Sequence, residues 1–96
     1  MIRHIVFFKF KPETTDTQIE KLEFGLSSLP AMIPQIKSFE FGRDIVRSDR
    51  SYDFALNSAF DSLEAMNEYQ VHPAHIDVVT YVKEICREVV AADYEF

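Results

Sequence analysis

The chain has no tryptophan, only two glycines and a single cysteine in 96 residues. Because Cys86 has no second cysteine to pair with, the fold must be held without an internal disulfide, which fits a reducing, cytoplasmic setting. Its apolar surroundings predict a buried, unreactive thiol. Long apolar runs are also missing. Ile5–Phe8 falls short of the roughly 7–15 residues of a signal core, and no window approaches the roughly 20 of a membrane span.

Positive charge is scarce as well, with 10 Lys and Arg against 16 Asp and Glu and a formal net charge of −6. Nucleic acid and anionic membranes need a basic face, so neither is expected as a partner. The chain has three histidines, His4, His72 and His75. A catalytic zinc site needs three protein ligands, and even with Asp77 nearby the pair His72 and His75 lacks a strong third one. The sequence therefore predicts no metal and no cofactor.

What the chain does have is apolar periodicity, with 47% hydrophobic and 14% aromatic residues, typical of one globular domain over residues 1–96. Alternation predicts strands, and a stripe at helical spacing predicts helices. Strands are predicted over 2–11, 36–45, 52–60 and 87–96, and helices over 14–30, 62–70 and, beyond Pro73, 74–85. The order β-α-β-β-α-β is typical of an α+β, ferredoxin-like fold, in which one four-stranded antiparallel sheet carries the helices on one face.

The first strand is apolar on both faces, which a sheet with one solvent-facing side does not explain. His4, Val6, Phe8 and Phe10 alternate with Ile5 and Phe7. If the helices cover one set, the other set needs a second cover, and the same sheet of another copy is the simplest one. The pattern predicts a homodimer through the face carrying Ile5 and Phe7.

Four blocks carry a resemblance to a known family. HIVFFKFKP, YDFALNSAF, YQVHPAH and VVAADYEF occur in this order over essentially the whole chain, which resembles the stress-responsive dimeric α/β-barrel family, called Dabb. The resemblance implies ferredoxin-like monomers whose sheets pack face to face as a barrel. Most members have no assigned activity, and one plant member closes a linear polyketide by aldol chemistry without metal or organic cofactor.

The resemblance also implies site residues. Tyr69 and His75 match the acid–base pair of the plant cyclase, and His4 matches a histidine of the same pocket. Phe54 stands where the cyclase has another histidine, so the pocket here is more apolar. The predicted catalytic residues are Tyr69 and His75, and the predicted ligand-binding residues are His4, Phe8, Phe54, Tyr69 and His75.

The stretch QVHPAH allows two interpretations. Proline is a common first residue of a helix, so His72 could simply cap it and His75 could be an ordinary polar group of the first turn. Alternatively, the break at Val71–Pro73 turns His75 inward beside Tyr69, while His72 stays outside. The function predicted is binding of a small, partly aromatic or apolar molecule between sheet and helices. A cofactor-independent cyclase or isomerase, and a non-catalytic stress-associated dimer, are the alternatives.

Overall fold

One antiparallel sheet organises the chain, in a computed structural model that describes all 96 residues. Its strands are β1 (Ile2–Phe10), β2 (Ser38–Arg43), β3 (Phe54–Phe60) and β4 (Cys86–Glu95), and the helices are α1 (Asp16–Met32), α2 (Leu63–Val71) and α3 (Pro73–Ile85). The strand order is β2-β3-β1-β4, with every neighbouring pair antiparallel. The predicted ferredoxin-like fold is confirmed, and the break before Pro73 divides its second helix into α2 and α3.

The centre of the sheet is β1, which pairs with β3 on one side and β4 on the other. Its alternate residues Ile2, His4, Val6 and Phe8 are buried under the helices, whereas Phe7 on the opposite face is 40% exposed. The period-two pattern of the sequence therefore fixes which residues of β1 join the core.

Helix α1 begins where its sequence predicts. The Thr15 side chain accepts from the Gln18 backbone N–H, and the Gln18 side chain accepts from the Thr15 N–H, which forms a capping box. Leu22, Leu26 and Leu29 are buried against the sheet. Pro30 lies within the final turn, and the helix ends two residues later at Met32.

The break between α2 and α3 falls at His72, which closes one helix and opens the next. Its backbone is extended (φ −65°, ψ 135°), and its Nδ1 accepts a hydrogen bond from the Ala74 N–H at 3.1 Å. Pro73 follows as the first residue of α3, where its missing N–H costs nothing. The prediction that His72 serves as a helix-entry residue is confirmed.

The outer face of the sheet, opposite the helices, carries exposed apolar side chains. Phe7, Val90 and Tyr94 are 40%, 38% and 50% exposed, and Phe7 lies directly opposite Val90 in the β1–β4 register. The predicted second apolar face is therefore present. By contrast, Cys86 is buried as predicted, and burial raises the pKa of its thiol to about 11. None of the helices has the length and apolarity that crossing a membrane requires.

Candidate functional site

A cavity of about 330 Å³ lies between α3 and the helix-side face of the sheet. We call it the α3 cavity. Its wall is mostly aliphatic and aromatic, and it opens at a rim where Lys83 and Val89 are exposed. Such an apolar enclosure with a few polar groups is the usual form of a small-molecule site. The lining residues are His4, Val6, Phe8, Leu26, Leu56, Tyr69, Gln70, His75, Val78, Val79, Val82, Lys83, Val89 and Ala91.

Another depression, of about 400 Å³, is larger but lies on the outer face beside Phe7 and Tyr52. None of the three histidines lines it, and an apolar outer face is where a second protein copy would pack. The predicted site residues His4, Tyr69 and His75 line the α3 cavity instead.

His75 lies in the first turn of α3 and is 9% exposed. Its Nδ1 is 3.1 Å from the carbonyl oxygen of Gln70, so Nδ1 carries the proton and donates it, which leaves Nε2 as an acceptor. Burial lowers the pKa of His75 below its ordinary value of 6.5, although the Gln70 bond opposes this shift. At neutral pH the ring is therefore uncharged, with a free lone pair on Nε2.

Tyr69 lies near the end of α2 and is 1% exposed. Its ring packs on Phe60 at a centroid distance of 4.8 Å and on His75 at 4.2 Å. An unbroken helix would leave residues 69 and 75 about 120° apart on its surface. The break at His72 therefore brings the two rings together, as the inward interpretation of QVHPAH expects. Burial raises the pKa of the Tyr69 phenol well above its ordinary range, so it stays protonated.

The Tyr69 hydroxyl has no hydrogen-bond partner within the chain. Every side-chain nitrogen or oxygen that is fully buried does have a partner, so this hydroxyl is not fully buried. The hydroxyl must therefore be reached from a void, and the α3 cavity is the void that Tyr69 lines. The same reasoning applies to Nε2 of His75, whose one bond is made by Nδ1. Two polar atoms thus face an apolar cavity without a partner.

His4 supplies a third such group from β1. It is 7% exposed, and its Nδ1 bonds to a carboxylate oxygen of Asp93 on β4, the residue directly opposite it in the strand register. This bond fixes the imidazole orientation and leaves Nε2 without a partner in the chain. The His4 ring also meets the Tyr69 ring edge-on at 6.4 Å. His4, Tyr69 and His75 thus form one cluster.

Four of the five residues predicted to bind a ligand line this cavity: His4, Phe8, Tyr69 and His75. Phe54 does not. It is 1% exposed and packs in an aromatic cluster with Phe8 at 5.5 Å and Phe41 at 6.0 Å. Phe54 begins β3, lies opposite Arg43 of β2 in the sheet and belongs to the hydrophobic core, so the structure does not bring it to the cavity with the other four. Phe54 supports the cavity wall only indirectly, by packing behind Phe8.

The structure adds residues that sequence reasoning missed, chiefly Asp93 and the α3 face. Alternation along β4 places Asp93 on the same side as Val89 and Ala91, and β4 pairs with β1 in this topology. That signal was available in the sequence. So was the helical spacing of the lining residues of α3, which follow His75 by three, four, seven and eight positions: Val78, Val79, Val82 and Lys83.

No group of three or more histidine, cysteine, aspartate or glutamate side chains is arranged to hold a metal ion. The polar groups of the α3 cavity are two imidazoles, a phenol, an amide and one ammonium group, contributed by His4, His75, Tyr69, Gln70 and Lys83. Together they can accept and donate hydrogen bonds, and a neutral imidazole can also accept a proton.

The chain is similar to known proteins over nearly its whole length. The sequence model of the Dabb family, the stress responsive A/B barrel domain, matches residues 2–96. Olivetolic acid cyclase of Cannabis sativa is 26% identical over 95 residues, covering 97% of this chain and 94% of the cyclase.

Two solved structures have the same fold. A dimeric ferredoxin-like protein of unknown function from Thermobifida fusca has a TM-score of 0.91 at 33% identity, covering 99% of this chain and 90% of that one. Hydroxynitrile lyase from Passiflora edulis has a TM-score of 0.87 at 24% identity, covering 97% of this chain and 90% of the lyase, and this likeness concerns the fold alone. The family resemblance seen in the sequence is confirmed, and the chain belongs to the Dabb family of stress responsive A/B barrel domains.

Proposed function

We propose that the chain binds a small, largely apolar and partly aromatic molecule in the α3 cavity. The observation that carries this proposal is the set of unpartnered polar atoms, Nε2 of His4, the Tyr69 hydroxyl and Nε2 of His75, in an otherwise apolar wall. An occupant that filled the cavity without matching groups would leave each of these atoms desolvated and unpartnered, at a cost of about 1–3 kcal/mol. A ligand that hydrogen-bonds to them avoids that cost, and its apolar body gains from burial.

The working form in this proposal is a homodimer joined through the outer face around Ile5 and Phe7. The exposed Phe7, Val90 and Tyr94 support it, because contiguous apolar surface on a sheet needs cover. The solved Thermobifida relative is described as dimeric, which supports the same assembly. The α3 cavity lies on the opposite side of the sheet, so each subunit keeps its own site in the dimer. The lone buried Cys86 is compatible with the cytoplasmic setting we assign to it.

Binding can be tested with N-phenyl-1-naphthylamine, a neutral aromatic dye that fluoresces in apolar sites. Saturable binding of one dye per chain is expected. Val79→Trp should abolish it, because Val79 is half-buried on the cavity wall and an indole would occupy the void. The matched control is Val71→Trp, at a site that is 70% exposed and outside the lining, which should bind like the wild type.

Retention of the wild-type chain's dye binding by a folded Val79→Trp variant would refute the cavity as the site. No saturable binding at all would favour the non-catalytic structural dimer. Where Val79→Trp fails to fold, Ala91→Trp fills the same space from the exposed strand side of the cavity.

The second candidate function is cofactor-independent acid–base catalysis by Tyr69 and His75, as in a cyclase or isomerase. The favouring observation is the contact of their rings at 4.2 Å, with a neutral imidazole beside a protonated phenol. In this proposal Nε2 of His75 takes a proton from the carbon next to a substrate carbonyl. The electron pair moves to the carbonyl oxygen, and the Tyr69 hydroxyl donates a hydrogen bond to the enolate formed. Olivetolic acid cyclase, a relative by sequence, is named for a cyclisation.

A simple test of the proton transfer is deuterium uptake from D₂O into 4-phenylbutan-2-one, followed by NMR. Catalysis should be lost in His75→Asn and reduced in Tyr69→Phe, with positioned acid–base groups contributing about 10²–10⁴ in rate. His72→Asn should exchange like the wild type, because His72 caps α3 and does not line the cavity. Equal exchange in His75→Asn and the wild type would leave ligand binding alone.

A further inference from the structure

We infer that the ligand of the α3 cavity carries one negatively charged group, such as a carboxylate, held by the ammonium group of Lys83. This inference rests on the proposed function, because it names the class of molecule that the same cavity takes. The expected ligand is an organic anion with an apolar, partly aromatic body.

Lys83 is the one lining residue with a permanent charge, and it is exposed at the rim of the cavity. The ion pairs of the chain involve other residues, so no carboxylate of the protein forms an ion pair with this ammonium group. Asp93, which lies close to His4, is engaged by the His4 imidazole. A cation at the mouth of an apolar cavity attracts an anion that enters it.

The distance along α3 suits a ligand with a charged head and a reactive or hydrogen-bonding tail. His75 lies in the first turn of α3, and Lys83 lies in its last turn, eight positions later on the same broad face. At helical rise this separates the two by about 12 Å. Val79 and Val82 line the wall between them. An anion at Lys83 would therefore leave the rest of a one-ring molecule in contact with Tyr69 and His75.

The overall charge of the chain sharpens this inference. With a formal net charge of −6, the protein as a whole repels anions, so anion binding depends on a local cation. Lys83 also lies in the last turn of α3, where a cation stabilises the helix end. Stabilising the helix end does not make ligand binding depend on the charge of the ligand, whereas holding an anion does. A comparison of charged and neutral ligands therefore separates the two roles of Lys83.

The test compares two dyes with the same aromatic skeleton, neutral N-phenyl-1-naphthylamine and its sulfonate, 8-anilinonaphthalene-1-sulfonate. The variants are Lys83→Gln and, as a matched loss of one positive charge at an exposed site outside the cavity, Lys37→Gln. Lys83→Gln should weaken the sulfonate roughly fivefold, the value of one charge contact near 4 Å in water. It should leave the neutral dye unchanged, and Lys83→Arg should restore sulfonate binding. Raising NaCl to about 0.5 M should weaken only the sulfonate.

The outcomes separate this inference from the proposed function. If Val79→Trp removes both dyes while Lys83→Gln affects the sulfonate no more than Lys37→Gln does, the site stands and the role of Lys83 is refuted. If Lys83→Gln weakens both dyes equally, its aliphatic stem acts rather than its charge, and the inference is again refuted. If Val79→Trp removes neither dye, the proposed function fails first.

Discussion

The two faces of the sheet leave different kinds of group unsatisfied. On the helix side, polar atoms of His4, Tyr69 and His75 lie in an apolar cavity without partners. On the outer side, apolar side chains such as Phe7 and Val90 lie in solvent without cover. An unpartnered polar atom is satisfied by a small molecule with a matching group, whereas an uncovered apolar surface is satisfied by another protein surface. Strand β1 contributes residues to both faces, because its side chains alternate between them.

The largest expected effect is on the outer face. Phe7→Asp places a carboxylate in the proposed dimer contact, where burying an unpaired charge costs several kcal/mol per chain. We expect monomer or aggregate, measured by light scattering against a wild-type mass of twice 11.2 kDa. Val71→Asp is the control, since Val71 is 70% exposed on α2 and away from that face. A wild-type mass of one chain would contradict the dimer.

Much of this contrast could be predicted from the sequence, because strand alternation is a strong signal. Ile5 and Phe7 against Val6 and Phe8 already predict a sheet with two apolar faces, and the Thr15–Gln18 box predicts the start of α1. Both rest on local periodicity and capping, which neighbouring residues determine.

The site was harder to predict because it depends on a bend and on strand register. The contact of Tyr69 with His75 exists only because α2 stops at His72, and spacing alone places the two residues apart. The His4–Asp93 bond requires knowing which residue of β4 lies opposite His4. The resemblance predicts Phe54 as a pocket residue, and only the packing of its ring on Phe8 shows that it lies in the core.

The next effect concerns pH on the helix side. Burial lowers the pKa of His75 below its ordinary value of 6.5, so the unfolded chain takes up that proton at a higher pH than the folded chain does. The stability contributed by the neutral ring is therefore complete above the ordinary value and is lost as pH falls from there toward the folded pKa.

Urea unfolding of the wild type and of His75→Gln, between about pH 8 and pH 5, measures this contribution. The free-energy difference between the two should be constant above the ordinary pKa and should shift against the wild type below it. A difference that stays constant over the whole range would contradict a buried, neutral His75.

A smaller effect is expected at the break between α2 and α3, on the helix side of the sheet. His72→Ala removes the acceptor for the Ala74 N–H and should cost about 0.5–1 kcal/mol in the free energy of unfolding. His72→Asn should restore most of this loss, because asparagine is a good N-cap. Neither variant should change dye binding by more than the change in stability explains. A selective loss of dye binding in His72→Asn would mean that His72 belongs to the site.

The smallest effect on stability is expected from Tyr69→Phe, and it tests the comparison most directly. The Tyr69 hydroxyl bonds to nothing in the chain, so its removal should change the free energy of unfolding by less than about 0.5 kcal/mol. Ser58→Ala is the contrast, since the Ser58 hydroxyl is fully buried and donates to the His4 carbonyl at 3.1 Å. Its loss should cost about 1 kcal/mol. If Tyr69→Phe instead destabilises the free protein as much as Ser58→Ala does, the hydroxyl has an internal partner. The hydroxyl would then be a structural group like that of Ser58, and it would not be free to hydrogen-bond to a ligand in the cavity.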